Sequence, residues 1–230
     1  MPGKHNLQNA ALAAKMALAL GCQPADIKRA LASFRGVERG LQLISASSPQ
    51  TSPAKPAVYD DYAHNPEKLH AMWTTLTEKH PAGVCVIWRP HGYAPLRKMM
   101  DALAAMFAET VRPQDKLLLL PVYDAGGTTD RSVNSDSLVA KIASLKVSRA
   151  SNVASVSSGT SVSSGTSVSS GTSVSKDSSD PSDSNDAILV ADLDAAYAWC
   201  AAHRNDFAAF VTCGARDPGL PALARRLAEM

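Results

Sequence analysis

Val58-Tyr59-Asp60-Asp61-Tyr62-Ala63-His64-Asn65-Pro66 runs from an apolar lead-in into two carboxylates, a tyrosine and a histidine. Read as a strand, it delivers its polar residues to one edge of a sheet. Asn65-Pro66 stops that strand, because proline brings no N–H to the ladder and pushes the residue before it away from helical angles. Pro66 suits the first position of a helix that Glu67, Lys68, Leu69, Met72 and Leu76 would continue. Strand, polar turn and helix N-terminus together make the crevice of an open α/β sheet, where a helix end favours anions. An Asp pair before a turn is equally a cap and a solvated strand end, so this segment alone leaves both readings open.

Downstream, the alternation of strand and helix continues. Strands are expected at 58–62, 84–88, 116–123, 187–190 and 207–213, and helices at 66–79, 94–111, 134–145, 192–203 and 219–229. Leu117-Leu118-Leu119-Leu120 is the continuous apolar run that a sheet covered on both faces requires. The predicted fold is therefore α/β, a doubly wound, mostly parallel, Rossmann-like sheet with helices on both faces and right-handed crossovers. Upstream, the pattern predicts helices over 5–20 and 24–34, closed by Gly21 and Gly36. Two short helices bury little by themselves and read as the end of a truncated central domain. The expected organisation is a helical tail over 1–44, a linker over 45–57 rich in Ser, Pro and Ala, and a body over 58–230. The body carries an insertion at about 146–186, where Ser-Val-Ser-Ser-Gly-Thr occurs in tandem at 155–160, 161–166 and 167–172. Such repeats lack bulky apolar residues and cannot bury a core, so the insertion is expected to be a disordered surface loop.

Composition narrows the class. With 230 residues, 45% of them hydrophobic, the chain can bury a core, and its net charge of +2 comes from interspersed acids and bases. No basic run approaches a nucleic-acid patch and no apolar stretch approaches membrane length, so neither nucleic acid nor membrane is expected as a partner. Cys22, Cys85, Cys200 and Cys213 are far apart in apolar contexts. They read as reduced core residues of a cytoplasmic protein, with no metal-ligand spacing and no disulfide framework. The N-terminus lacks the apolar core of a signal peptide.

Three further strand ends carry polar clusters: Arg89-Pro90-His91-Gly92-Tyr93 with Arg97 one turn on, Tyr123-Asp124-Ala125-Gly126-Gly127-Thr128, and Gly214-Ala215-Arg216-Asp217-Pro218. Polar residues gathered at the carboxyl ends of parallel strands mark an α/β binding edge. Together with Gly3-Lys4-His5-Asn6-Leu7-Gln8-Asn9, Phe34-Arg35-Gly36-Val37-Glu38-Arg39 and Asp60-Asp61-Tyr62-Ala63-His64-Asn65-Pro66, these motifs occur in an order that resembles the Mur ligases. The resemblance is strongest to the branch of UDP-N-acetylmuramate:L-alanine ligase. It covers the chain apart from the Ser-rich stretches.

The resemblance implies an ATP-dependent, ADP-forming carboxylate–amine ligase of peptidoglycan precursor synthesis, with Mg²⁺, a UDP-sugar or UDP-sugar peptide, and an amino acid or peptide as substrates. It implies nucleotide-binding roles for Asn6, Asn9, Arg39, Asp61 and His64, with Arg39 and Asp61 as a pair beside a hinge, the carboxylate meeting ribose or holding the arginine. Substrate-binding roles follow for Tyr62, His91, Tyr93 and Arg97. In two respects the chain departs from the family. Pro90-His91-Gly92 stands where the alanine-adding enzymes usually have Pro-His-Arg, which leaves the amino-acid substrate open. No Gly-x-x-x-x-Gly-Lys-Ser/Thr loop occurs, nor the residues that hold Mg²⁺. The chain is thus expected to be inactive alone, to carry no metal site or catalytic residue of its own, and to depend on N-terminal and central domains that could be separately encoded. A stand-alone binding or regulatory module is the alternative. A dinucleotide-dependent oxidoreductase is disfavoured, because no Gly-x-Gly-x-x-Gly follows the first strand.

Overall fold

In the computed structural model, residues 3–34, 36–47, 55–124, 126, 128, 130–157 and 186–230 are described. Met1, Pro2, Arg35, residues 48–54 of the expected linker, Ala125, Gly127, Thr129 and residues 158–185 of the expected insertion lie outside them. Two helices come first, α1 (Lys4–Ala19) and α2 (Pro24–Ser33). The body follows in the order β1 (Gln42–Ser45), β2 (Ala57–Asp61), α3 (Pro66–Lys79), β3 (Val84–Trp88), α4 (Tyr93–Thr110), β4 (Lys116–Leu119), α5 (Ser135–Ser157), β5 (Ala187–Leu189), α6 (Leu193–Ala202), β6 (Ala209–Cys213) and α7 (Gly219–Ala228).

The six strands form one sheet in the order β1-β2-β6-β3-β4-β5. β1 pairs antiparallel with β2, and the other pairings are parallel. The chain passes from β2 over the later β6 to β3, steps outward to β5, and returns to place β6 in the middle. Strand alternation divides the core between two faces. On one, Tyr59, Val86, Trp88, Leu117 and Val211 meet Leu69, Trp73 and Leu76 of α3, Leu103 and Phe107 of α4, and Leu138 and Ile142 of α5. On the other, Val58, Cys85, Ile87, Leu118 and Phe210 meet Ala196 and Cys200 of α6 and Leu220, Leu223 and Leu227 of α7. These two layers realise the doubly wound α/β architecture.

Helix α3 follows its sequence signals closely. Asn65 caps it by accepting from Lys68 N at 2.9 Å, Pro66 opens it, and Glu67 and Lys79 complement the two ends of the dipole. Leu69, Met72, Trp73 and Leu76, at helical spacing, are all buried. Trp73 Nε1 donates to Asp115 Oδ2 at 3.1 Å, and the same carboxylate accepts from Val84 N and the Arg112 guanidinium. Burial alone would raise the Asp115 pKa, but these hydrogen bonds outweigh it and hold the carboxyl below its ordinary range.

Three elements differ from the sequence expectations. Gln42–Ser45, within the stretch assigned to the helical tail, is an edge strand of the sheet. The strand expected over 116–123 ends at Leu119. The helix expected over 134–145 continues to Ser157, so residues 146–157 are helical and not part of a disordered loop. Lys146 accounts for part of this extension: its Nζ donates to Val111 O at 2.8 Å and pairs with Asp186 Oδ2 at 2.5 Å, tying α5 to the start of β5.

The helix pair is a different kind of structure from the body. Among the described side chains of α1, only Asn6, Ala10, Ala14 and Ala17 are half-covered, and α2 buries no residue. Leu7, Leu12, Met16, Leu18, Leu20, Leu31, Phe34 and Val37 stay exposed. Among the described residues, no helix is long and apolar enough to cross a membrane.

Candidate functional site

The carboxyl end of β2 carries two carboxylates on opposite faces. Asp60, 1% exposed, accepts from Thr212 Oγ1 at 2.7 Å and from Arg39 Nε at 2.9 Å. The arginine is then committed further, since its Nη2 donates to Gly214 O at 2.8 Å and to Asp61 O at 3.4 Å. Its guanidinium lies 5.2 Å from the centroid of the Tyr62 ring. Of the two roles expected for the Asp61 carboxylate, meeting ribose or holding the arginine, the second falls to Asp60. Asp61, on the other face, accepts from two backbone groups, Leu41 N at 2.5 Å and Ala63 N at 2.6 Å.

These bonds fix an unusual turn. Arg39 and Leu41 both adopt left-handed backbone angles, φ 56° and 50°. Such angles cost non-glycine residues free energy and persist only where surroundings hold them. Here the holding groups are the two Asp side chains of β2, assisted by Gln42 Oε1, which accepts from Arg39 N at 3.1 Å, and by Tyr62 N, which donates to Arg39 O at 2.7 Å. The turn joins the helix pair to the sheet, so the β2 carboxylates set where α1 sits.

A cleft of about 420 Å³ opens between α1 and this edge. It is lined by Asn6, Asn9, Arg39, Asp61 and Tyr62, with Val37, Leu41, Ala63, Ala71 and Met72 as apolar wall and Glu67 and Lys68 at the start of α3. Of the expected nucleotide-binding residues the fold therefore brings Asn6, Asn9, Arg39 and Asp61 together. Its size falls in the ordinary range of ligand pockets, and its composition, apolar walls with a few convergent polar groups, is the ordinary one. Val37, Met72, Glu67 and Lys68 were not singled out from sequence. Lys68 and Met72 were visible as members of α3, but nothing in their spacing says which face of that helix α1 approaches.

His64 lies beside this cleft and not in its lining. Its Nδ1–H donates to Tyr62 O at 2.9 Å, which leaves the lone pair on Nε2 when the ring is neutral. The rings of Tyr62, His64 and His91 form a chain, with centroid separations of 5.4 and 5.0 Å. Burial lowers the His91 pKa, and the neighbouring His64 and Arg216 lower it further, which favours a neutral imidazole at the sheet edge. Gly92 follows at φ 150°, a backbone angle that side chains rarely adopt. Tyr93 and Arg97 are engaged elsewhere. Arg131 stacks 5.6 Å from the Tyr93 centroid, and Arg97 Nη2 bonds both the backbone and the side chain of Asp130 at 2.7 Å.

Gly214-Ala215-Arg216-Asp217-Pro218 builds the neighbouring strand end. A Cβ at Gly214, φ 144°, would lie 2.8 Å from Arg89 O, so only glycine allows this approach of β6 to β3. Asp217 Oδ2 pairs with Arg89 Nη1 at 2.8 Å, and its Oδ1 accepts from Gly219 N at the start of α7. Cys213, between the two arginine locks, is buried, and burial with the nearby Asp61 and Asp60 pushes its thiol pKa well up, so it is an inert core residue. Among the described residues, no group of three or more His, Cys, Asp or Glu side chains is placed to hold a metal ion.

The family described as Mur ligase, glutamate ligase domain, matches residues 49–191. UDP-N-acetylmuramate--L-alanine ligase of Sinorhizobium medicae is 34% identical over 142 residues, 62% of this chain and 28% of that protein. Its counterpart from Agrobacterium fabrum is 35% identical over the same shares. The match thus spans well under a third of the length of these relatives. Among solved structures, UDP-N-acetylmuramate-alanine ligase MurC from Thermotoga maritima superposes with a TM-score of 0.59 at 22% identity, covering 100% of this chain and 38% of that one. MurF from Acinetobacter baumannii gives 0.59 at 16% identity, with 99% and 38% covered. These two likenesses carry the fold, and the matched family domain carries the lineage: the chain belongs to the Mur ligase family.

Proposed function

We propose that this chain is the C-terminal part of a cytoplasmic, ATP-dependent, ADP-forming ligase that joins a carboxylate to an amine in peptidoglycan precursor synthesis. The observation that carries the reading is the cleft in which the amides of α1 meet the carboxyl end of β2. Asn6 and Asn9, a helical turn apart, can each donate to and accept from the edge of a purine, while Val37, Leu41 and Met72 cover its faces. Asp61 lies where a ribose hydroxyl would come, and the Arg39 guanidinium keeps Nη1 without a hydrogen bond among the described residues. Lys68 in the first turn of α3 adds a cation on the phosphate side.

Bound ATP would supply the phosphoryl group that turns the carboxylate of a UDP-sugar substrate into an acyl phosphate. This chain would place the nucleotide and, through the neutral His91 and the Nε2 lone pair of His64, receive the amino acid or peptide whose amine attacks. The described residues do not fit Mg²⁺, which would be held by the N-terminal and central domains. Positioning alone, without phosphate cradle and metal, should give little turnover. Purified chain with ATP, Mg²⁺, a UDP-sugar acid and amino acids should release no phosphate above background, and adding the missing domains of a Mur ligase should restore release. Turnover by the chain alone would overturn this reading.

A second reading, a binding or regulatory module freed of catalysis, is favoured by one feature: the body closes its core on both faces without help from α1 and α2. Nucleotide binding that is tight without any partner domain would support it.

A further inference from the structure

At the opposite edge of the sheet, where β2, β3 and β6 begin, a second cleft of about 460 Å³ is lined by Lys55, Pro56, His80, Arg204, Asn205 and Phe207. Its cations are held differently from the other half-buried arginines among the described residues. The half-buried arginines Arg39, Arg89 and Arg112 each hold a carboxylate, at 2.9, 2.8 and 2.8 Å. Arg204 is half-buried too, yet its one hydrogen bond among the described residues goes to the carbonyl of Met230, at 3.4 Å. Lys55, also half-buried, has no hydrogen-bond or ion-pair partner there. A cation withdrawn from water without a compensating carboxylate is costly, and a bound anion removes that cost.

His80 completes the arrangement. It is only 8% exposed, and its Nε2 is 3.0 Å from the buried Tyr59 hydroxyl. When the hydroxyl donates to Nε2, the proton of a neutral ring sits on Nδ1, which has no partner among the described residues. Burial and the adjacent Lys79 both lower the pKa of this ring, so the neutral form with one N–H to offer is favoured. Asp206 stands at the exposed rim and pairs with neither cation, which limits the charge the cleft accepts. Phe207, Pro56 and Ala82 give it an apolar side.

We propose that this cleft is a binding site for a small oxyanion-bearing molecule, a carboxylate or phosphate ester, held by Lys55, Arg204 and the Nδ1–H of His80. The site is separated from the nucleotide cleft by the length of the strands and does not depend on the function proposed above. Binding there would connect the start of β2 to the α6–β6 loop and Tyr59, giving a ligand a grip on the strand whose other end holds Arg39.

The test is an amide NMR titration of the full chain with inorganic phosphate and, separately, with acetate, at constant ionic strength. Saturable shifts are expected for Asn205, Ala208 and the His80 ring, with at least about tenfold weaker affinity in the Lys55→Gln/Arg204→Gln variant. Both positions are partly solvent-exposed, so the variant should keep the native amide dispersion, which the same spectra report. The stronger of the two anions identifies the ligand class. Absence of saturable shifts with either anion, or shifts unchanged in the double variant, would overturn the proposal. His80→Gln, which keeps a donor, should retain more affinity than His80→Leu, and equal affinities would remove His80 from the site.

Discussion

The helix pair and the sheet body face opposite demands. In the body, Trp73, Trp88, Phe107 and Phe210 are sealed from water and nearly every residue of the central strands β2, β3, β4 and β6 is buried. In the pair, Leu7, Leu12, Met16 and Leu20 stand in solvent at helical spacing, with Leu20 83% exposed. Each such side chain would contribute about 1.5–3 kcal/mol on full burial, so the pair carries an apolar surface fit to be covered by more protein. The body carries its own stability, and the pair borrows its position from the body through one turn, the left-handed segment held by Asp60 and Asp61.

The sharpest contrast comes from matched truncations. Phe107→Ala should cost about 3–5 kcal/mol in urea unfolding, because it leaves a cavity between α4, Trp73 and Trp88, whereas Leu12→Ala should stay within about 0.5 kcal/mol. Comparable losses at the two positions would mean that α1 is packed in solution after all.

Next in size is the lock between the regions. Asp60→Ala strands a half-buried Arg39 and should cost about 3 kcal/mol, and it should also speed amide exchange through α1 and α2 while leaving α6 protected. Asp61→Asn should cost less, since it strands no charge and its one amide oxygen can still accept from either Leu41 N or Ala63 N, which bond separate carboxylate oxygens in the native turn. If Asp61→Asn proved the more damaging to stability, Asp60 would not be the group that holds the turn.

Acid should loosen the body in two windows. His80 and His91 have folded pKa values below the ordinary 6.5, so below that pH the unfolded chain binds more protons than the folded one. Their contribution is complete above about pH 6.5 and is lost as pH falls from there toward the folded values. Asp115 acts lower: its stabilisation is present above its ordinary 3.8 and disappears as pH falls through the depressed folded value. In Arg112→Gln the lower window should shrink and the upper one remain, which thermal melts from pH 7 to pH 3 would show.

The smallest effect is expected at the Ser-rich segment. Replacing residues 158–185 by a short Gly/Ser linker should move the thermal midpoint by no more than about 2 °C, because closure entropy changes slowly with loop length. Lys146→Met should cost more than that deletion, since Lys146 joins α5, Val111 and Asp186.

What the sequence revealed follows from where local rules govern. Helix 66–79 and strand 84–88 match the structure because cap, proline, periodicity and apolar run all agree there. β1 escaped notice because four residues at an edge offer too little pattern, and its partner lies on the far side of a Ser- and Pro-rich stretch. The end of α5 was hidden by serines of low helix propensity, while the Lys146 bonds that extend it are tertiary. At the site, Asp60 and Asp61 fall on opposite faces, as strand alternation requires. Which face Arg39 would reach depended on the left-handed turn at 39–41, and no residue type there announces it.

The central claim is that the α1–β2 cleft holds an adenine nucleotide, and it is tested most directly by titrating the isotope-labelled chain with ADP. Millimolar binding is expected, with shifts at the side-chain amides of Asn6 and Asn9 and the backbone amides of Leu41 and Ala63, all abolished by Asn9→Ala with the fold intact. Shifts that avoid α1, or binding that survives Asn9→Ala unchanged, would contradict the account.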